Sequence, residues 1–154
     1  VEAVLAGQIE EETPLIAIKG SGSWRGQERL WTSDVRDIAG AMISVELNHY
    51  SPSPGLARLM AAATGVRCYG CASRALSLVA TGATDAHVDV RGRLTAESYP
   101  AAARSVIEAG GWVAGLDGGP LTSPECLTDR VGLIAASSRE LYDKIVEVLG
   151  DEQD

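Results

Sequence analysis

Residues 70–111 constrain the fold of this 154-residue chain most, because helical and strand periodicities follow one another there without a break. Small and apolar residues recur at helical spacing up to Gly82, which is expected to end that helix; they are Ala72, Ala75, Leu76, Val79 and Ala80. Apolar and polar residues then alternate over 86–91, as in a strand with one face in the core. This order predicts a helix that leads directly into a strand.

A second helix is predicted to open at Pro100 and to end at Gly110 and Gly111, with Ala103, Val106 and Ile107 on its apolar face. A short helical turn is expected within 32–40. Ser53 is expected to cap a helix that opens at Pro54. Ser137 and Glu140 are expected to form the capping box of a last helix. Strands are predicted at 1–5, 15–19, 42–47, 66–69, 112–113 and 132–136, with a hairpin over the glycine-rich segment 20–26.

Strands that alternate with helices predict an α/β fold, a layered mixed sheet with helices on both faces. The length and the 45% hydrophobic content fit a single domain over 1–150, followed by a charged tail, 151–154, that is expected to fray. Trp24 and Trp31 flank the hairpin, where they are expected to cover the edge of the core or to form a partner surface.

The charge of the chain excludes several function classes. A formal net charge of -8 and a pI near 4.7 argue against a nucleic-acid or anionic-membrane surface, which needs clustered Lys and Arg. No apolar run approaches the length of a membrane span, and the first residues do not resemble a signal peptide. The predicted location is the cytoplasm.

The three cysteines are an odd number, which favours a reduced compartment over a disulfide framework. The Cys-x-x-Cys spacing of Cys68 and Cys71 fits a redox or a zinc site, although zinc needs two further ligands and no second paired motif is present. The alternative is that Cys68 ends a buried strand and Cys71 begins a helix. His49 and His87 lack the pattern of a catalytic triad and are interpreted as solvated or core-edge residues.

The register of 70–111 resembles the C-terminal half of the inositol monophosphatase family, especially its archaeal members that also hydrolyse fructose bisphosphate. That family reads G-S-A-A-L-x-L-x-x-V-A-x-G-x-x-D-A-x-V-D, then a loop, then an Asp-led helix ending in E-A-G-G. The matching residues are Gly70, Ala72, Leu76, Val79, Ala80, Gly82, Asp85, Ala86, Val88, Asp89, Glu108, Ala109, Gly110 and Gly111. A weaker similarity covers the hairpin, through Gly20, Gly22, Gly26 and Glu28, and the last strand and helix.

The resemblance implies the C-terminal layer of the sugar-phosphatase fold and hydrolysis of small phosphate monoesters with two or three magnesium ions. Most magnesium ligands of the family are an upstream Glu and the carboxylates of a D-P-I/L-D-G-T motif, which does not occur here. An N-terminal half or another chain is therefore the expected partner. Residues that would face that half are expected to be uncovered in the lone chain, which predicts a homo-oligomer.

One family metal ligand is implied within this chain, the Asp that opens the E-A-G-G helix. Counting back twelve residues from Gly110 gives Ser98, whose neutral hydroxyl cannot replace a carboxylate toward a hard divalent cation. Ser98 is instead expected to cap the helix. The adjacent Glu97 could substitute, but a shift of one residue at a helix start turns a side chain by about 100°.

The resemblance also implies a polyol-binding side formed by the backbone of Gly70, Cys71 and Ala72 and by the carboxylate of Asp89. The alternative for Asp89 is an ordinary outward-facing strand residue. Arg91 and Arg93 either meet a substrate phosphate or are surface charges. Two functions thus stay open: the substrate-binding half of a magnesium-dependent sugar or polyol phosphate phosphatase, or an inactive relative that binds a ligand or partner.

Overall fold

In the computed structural model, two β-sheets and four α-helices form the described part of the chain, residues 2–6, 13–121, 126 and 128–150. The first sheet is antiparallel and follows the chain order: β1 (Ala3–Ala6), β2 (Leu15–Ile18), β3 (Gly22–Arg25) and β4 (Glu28–Leu30). The glycine-rich segment 20–26 contains β3, which pairs antiparallel with β2 and β4, so the predicted hairpin is confirmed.

The second sheet is mixed and has the strand order β6-β5-β7-β9-β8. Its strands are β5 (Met42–Val45), β6 (Gly65–Arg67), β7 (Ala86–Leu94), β8 (Trp112–Ala114) and β9 (Val131–Ala136). β5 pairs in parallel with both β6 and β7, whereas β9 is antiparallel to β7 and β8. The two parallel pairings place the carboxyl ends of β5, β6 and β7 at one edge.

Four helices and a 3-10 turn (Ile38–Gly40) complete the fold: α1 (Pro54–Ala62), α2 (Ala72–Ala80), α3 (Pro100–Glu108) and α4 (Arg139–Gly150). α2 and α3 lie between the two sheets, and α1 and α4 cover the other face of the mixed sheet. The predicted α/β class with helices on both faces is confirmed. The expectation of one sheet is wrong, because β1, β2, β3 and β4 form a second sheet in which each strand pairs with the next along the chain.

Each helical layer has its own apolar core. The core beside α2 and α3 includes Leu15, Leu76, Val79, Val106 and Leu133, and the core beside α1 and α4 includes Ile43, Leu56, Leu59, Ile134, Leu141 and Ile145. Because each face of the mixed sheet is covered, apolar residues of its strands are buried on both sides, together with the polar residues Ser44, His87 and Asp89. No helix in the described ranges is long and apolar enough to span a bilayer.

Local signals for helix ends are mostly confirmed. Ser53 Oγ accepts a hydrogen bond from the Leu56 N–H at 3.3 Å, and Gly82 adopts a φ of +70° just after α2. The predicted capping residue of α4 is wrong by one position. The Leu141 N–H donates to Ser138 Oγ at 3.2 Å, while Ser137 Oγ donates to the Val35 carbonyl. The predicted tail, 151–154, lies outside the described residues.

Glu108, the acidic residue of E-A-G-G, joins α3 to the antiparallel sheet. Its carboxylate accepts the backbone N–H groups of Gly20, at 3.0 and 3.1 Å from its two oxygens, and of Gly22, at 3.1 Å. Gly111 of the same motif is needed for space, since a Cβ there would lie 2.7 Å from the Ala136 carbonyl oxygen. Both residues therefore support the fold.

Trp24 and Trp31 lie on the outer side of the antiparallel sheet. The Arg29 guanidinium stacks on both rings, 5.4 Å from the centre of Trp24 and 4.4 Å from that of Trp31. Trp31 is 60% exposed, and Ile18 on β2 is 45% exposed. The side chain of Trp31 thus faces outward instead of covering the edge of the core.

Candidate functional site

The candidate site lies at the edge of the mixed sheet where β5 and β6 end, beside β7. Glu46 and Asn48 follow β5, and the Glu46 N–H donates to the Val88 carbonyl of β7 at 3.1 Å. The turn from β6 into α2 contains Gly70, and a Cβ on that glycine would lie 3.2 Å from Asn48 Nδ2. In α/β sheets, ligands bind at the carboxyl ends of parallel strands, where loops converge.

Asp89 of β7 is fully buried and paired with Arg91. Oδ1 accepts from Arg91 Nε at 3.0 Å and from the Arg91 backbone N–H at 3.0 Å, and Oδ2 accepts from Nη2 at 2.8 Å. Asp89 thereby raises the pKa of Arg91. The interpretation of Asp89 as an outward-facing residue is wrong.

Arg91 also connects this pair to the loop after β5, because its Nη1 donates to the Asn48 carbonyl at 3.3 Å. A guanidinium has five N–H donors, so Arg91 keeps two for a ligand after the bonds to Asp89 and Asn48. Arg93, two residues further along β7, is exposed. The structure therefore separates the two arginines: Arg91 pairs with Asp89 beside the loop after β5, and Arg93 lies on the surface.

The start of α2 provides backbone donors beside this pair. Gly70 has a φ of +67°, and Cys71 is the N-cap residue of a nine-residue helix. Its sulfur makes no capping hydrogen bond. The Ser73 hydroxyl at 3.3 Å, followed by the backbone N–H groups of Arg74 and Ser73, lowers the pKa of the Cys71 thiol. The N–H groups of a first helical turn lack partners within the helix and suit an anion or a hydroxyl.

Glu46 is a buried carboxylate that sequence reasoning missed. It is 3% exposed, and Cys68 Sγ donates to its Oε1 at 3.6 Å. Its negative charge acts on both Cys71 and Arg91, so it faces the same space. The available signal was the alternation of Ser44 and Glu46 with apolar residues in a strand otherwise expected to be buried.

The position of the family metal ligand lies in a turn before α3. Ser98 Oγ accepts from the Thr95 N–H at 3.0 Å and donates to the Thr95 carbonyl at 2.8 Å. The N-cap of α3 is Tyr99, so the prediction that Ser98 caps the helix is wrong. The hydroxyl stabilises the turn instead.

Glu97 has a fully exposed side chain, and its pKa is lowered by its own backbone N–H, by the Thr95 hydroxyl and by Arg130. Within the described part of the chain, no group of three or more His, Cys, Asp or Glu side chains could hold a metal ion. In this part of the chain Glu97 therefore belongs to no such group, and the Ser98 hydroxyl is bonded within its own turn.

The two histidines lie in opposite environments. His87 of β7 is buried, and its Nδ1 lies 3.0 Å from Ser44 Oγ, while Nε2 has no partner. Burial lowers the pKa of His87 to about 4, so its ring is neutral at pH 7. His49 is exposed and has a φ of +55°. Only His49 fits the expectation of a solvated histidine.

Known proteins match the chain over about half of their own length. The inositol monophosphatase 1 of Xenopus laevis is 32% identical over 140 residues, covering 85% of this chain and 47% of the relative. The fructose-1,6-bisphosphatase/inositol-1-monophosphatase of Methanothermobacter thermautotrophicus is 27% identical over 135 residues, and the match covers 86% of this chain and 47% of that relative. No model of a protein family matches the sequence.

A solved structure from Pyrococcus horikoshii, described as a hypothetical protein with similarities for inositol-1 monophosphatase, matches with a TM-score of 0.79 and 26% identity. The match covers 89% of this chain and 52% of that one. The motif register of 70–111, the relatives and the fold therefore indicate the same family. This chain belongs to the inositol monophosphatase family and corresponds to the C-terminal half of its members.

Proposed function

We propose that this chain is the substrate-binding half of a magnesium-dependent phosphatase acting on inositol or sugar phosphates. The names of the relatives, inositol monophosphatase and fructose-1,6-bisphosphatase/inositol-1-monophosphatase, support this substrate class. The chain spans about half the length of these relatives, so we propose that an N-terminal half or another chain completes the active site.

The observation that carries the proposal is the convergence of the α2 N-terminus, Asn48 and the Asp89–Arg91 pair at one edge of the mixed sheet. The backbone N–H groups of Cys71 and Ala72 would donate to substrate oxygens. Arg91 would donate its two remaining N–H groups to a phosphate or hydroxyl oxygen, and Asp89 would hold the guanidinium in place. The site thus has donors for an oxygen-rich anion.

The residues of this chain do not fit a magnesium ion by themselves. Magnesium prefers carboxylate and other oxygen ligands in an octahedron. The Ser98 hydroxyl is occupied by Thr95, and Glu97 has no second carboxylate arranged with it among the described residues. We therefore assign this chain the binding and orientation of substrate, and we assign the metal-binding carboxylates to the missing half.

A second candidate function is that of a catalytically inactive relative that binds a polyol phosphate or a partner. The occurrence of Ser98 at the position of the family Asp favours it. Reading the coding region upstream of Val1 separates the two candidates. An upstream D-P-I-D-G-T motif supports the phosphatase, and a native start near Val1 supports the inactive relative.

The substrate-binding role is tested with the purified chain and myo-inositol 1-phosphate. We expect NMR shifts of the Gly70, Cys71 and Ala72 amides, and no phosphate release with magnesium present. Arg91→Lys removes the planar fork of donors and should weaken binding about tenfold. The matched control Arg93→Lys, on the same strand, should bind as the parent does.

Two results would contradict the proposal. Turnover by the lone chain that is abolished by a chelator would show that it holds a complete metal site. Equal binding by Arg91→Lys and the parent, with the amide shifts elsewhere, would place the ligand outside this edge.

A further inference from the structure

Two cysteines flank the turn that joins β6 to α2. Cys68 follows β6 and Cys71 is the N-cap of α2, and both are free and exposed. Gly70, between them, has a φ of +67°, which turns the chain toward the helix. A Cys-x-x-Cys pair between a strand and a helix N-terminus has the local context of a dithiol redox motif.

The two thiols have different surroundings. Cys71 Sγ lies 3.3 Å from the Ser73 hydroxyl at the positive end of α2, a setting that stabilises a thiolate. Cys68 precedes the helix, and its Sγ donates a hydrogen bond to Glu46 Oε1 at 3.6 Å. Glu46 also opposes the thiolate of Cys71, but less strongly than the Ser73 and Arg74 donors favour it. Cys71 is therefore the better nucleophile.

We propose that Cys68 and Cys71 form a redox-active dithiol that low-molecular-weight disulfides oxidise reversibly to an intramolecular disulfide, with Cys71 as the attacking thiol. The inositol monophosphatase motif has Ser where this chain has Cys71, so the property belongs to this chain and not to the motif. It does not depend on the proposed phosphatase role. A metal site is not favoured, since no third ligand joins the two sulfurs among the described residues.

The reaction balances as a thiol–disulfide exchange. The Cys71 thiolate attacks one sulfur of the external disulfide, forms a mixed disulfide and releases one thiolate. Cys68 then loses its proton to solvent and attacks the Cys71 sulfur, which expels the second thiolate. The two protein thiols are oxidised, and the external disulfide is reduced to two thiols once the released thiolates take up protons.

The test exposes the purified chain to mixtures of glutathione disulfide and glutathione, and maps the products by peptide mass spectrometry. We expect a disulfide between Cys68 and Cys71 that dithiothreitol reverses. Cys68→Ser removes the resolving thiol and should trap glutathione on Cys71. Cys71→Ser should abolish the internal disulfide and slow modification of Cys68.

Cys126 provides the matched control, because it is also exposed but lies beside a carboxylate, with Sγ 2.9 Å from Asp129 Oδ1. Cys126→Ser should leave the Cys68–Cys71 disulfide unchanged, and Cys71 should react about tenfold faster than Cys126. Absence of the internal disulfide at every glutathione ratio, or equal reaction rates at Cys71 and Cys126, would overturn the proposal.

Discussion

Asp85 and Asp89 belong to the same family motif but have different environments. The Asp85 carboxylate accepts from the Ser33 hydroxyl and from the Met42 N–H at 2.6 Å, which fixes the start of β5. The Asp89 carboxylate binds Arg91 at the candidate site. One motif thus supplies both a residue that builds the sheet and a residue that orders the site, so motif matching alone does not identify ligands.

His87 makes stability depend on pH at the scale of a single residue. Its pKa is about 4 in the folded chain, against 6.5 for an ordinary histidine, because burial outweighs the attraction of Asp89. Between these values the unfolded chain binds the extra proton, so folding stability falls as pH falls from about 6.5 to 4. At pH 5 the loss is about 2 kcal/mol relative to pH 7.5.

His87→Gln removes this titration and should flatten the dependence of unfolding free energy on pH, measured by urea denaturation between pH 7.5 and 5. His49→Gln, at the exposed histidine, should retain the slope of the parent. The same slope in His87→Gln as in the parent would show that other groups cause the acid sensitivity.

At the scale of elements, two side chains, Glu108 and Ser23, bond α3 to the antiparallel sheet. Glu108 accepts the N–H groups of Gly20, in the turn after β2, and of Gly22, at the start of β3. Ser23 Oγ donates to the Ser105 carbonyl of the same helix at 2.7 Å. Because Glu108 is mostly buried, its bonds to backbone donors are worth more than those of an exposed ion pair.

We expect Glu108→Gln to destabilise the chain by about 1–3 kcal/mol, since the amide loses the charge and one acceptor oxygen. Urea denaturation measures the loss, and hydrogen exchange of the Gly20 and Gly22 amides should become faster. Glu140→Gln is the control, because the exposed pair of Glu140 with Lys144 at 3.1 Å should contribute less than about 0.5 kcal/mol. Equal effects of the two substitutions would contradict this role of Glu108.

For the whole molecule, the outer face of the antiparallel sheet exposes several large apolar side chains among the described residues. Ile16, Ile18 and Trp31 are exposed there, next to the partly buried Trp24. The chain matches about half of the length of its relatives, so we propose that the other half of such a protein covers this face. When that half is absent, a second copy of this chain can cover the apolar face.

We expect the lone chain to form a dimer or a higher oligomer through this face. In sedimentation velocity over a range of concentrations, Ile18→Lys should shift the chain toward monomer, because it places a charge in the apolar face. Ile107→Lys introduces the same charge at an exposed position on α3 and should leave association unchanged. A strictly monomeric parent, or equal effects of both substitutions, would refute the prediction.

The sequence by itself determined the helices and most strands, because periodicity, glycine positions and capping residues are local properties, and the motif register of 70–111 indicated the family. The stripe of α2, the end of that helix at Gly82 and the cap at Ser53 all lie where the pattern places them. The tertiary structure alone decided which polar residues meet. The pairing of Asp89 with Arg91, the burial of Glu46 and the separate antiparallel sheet depend on contacts and strand pairings that a one-dimensional pattern does not specify.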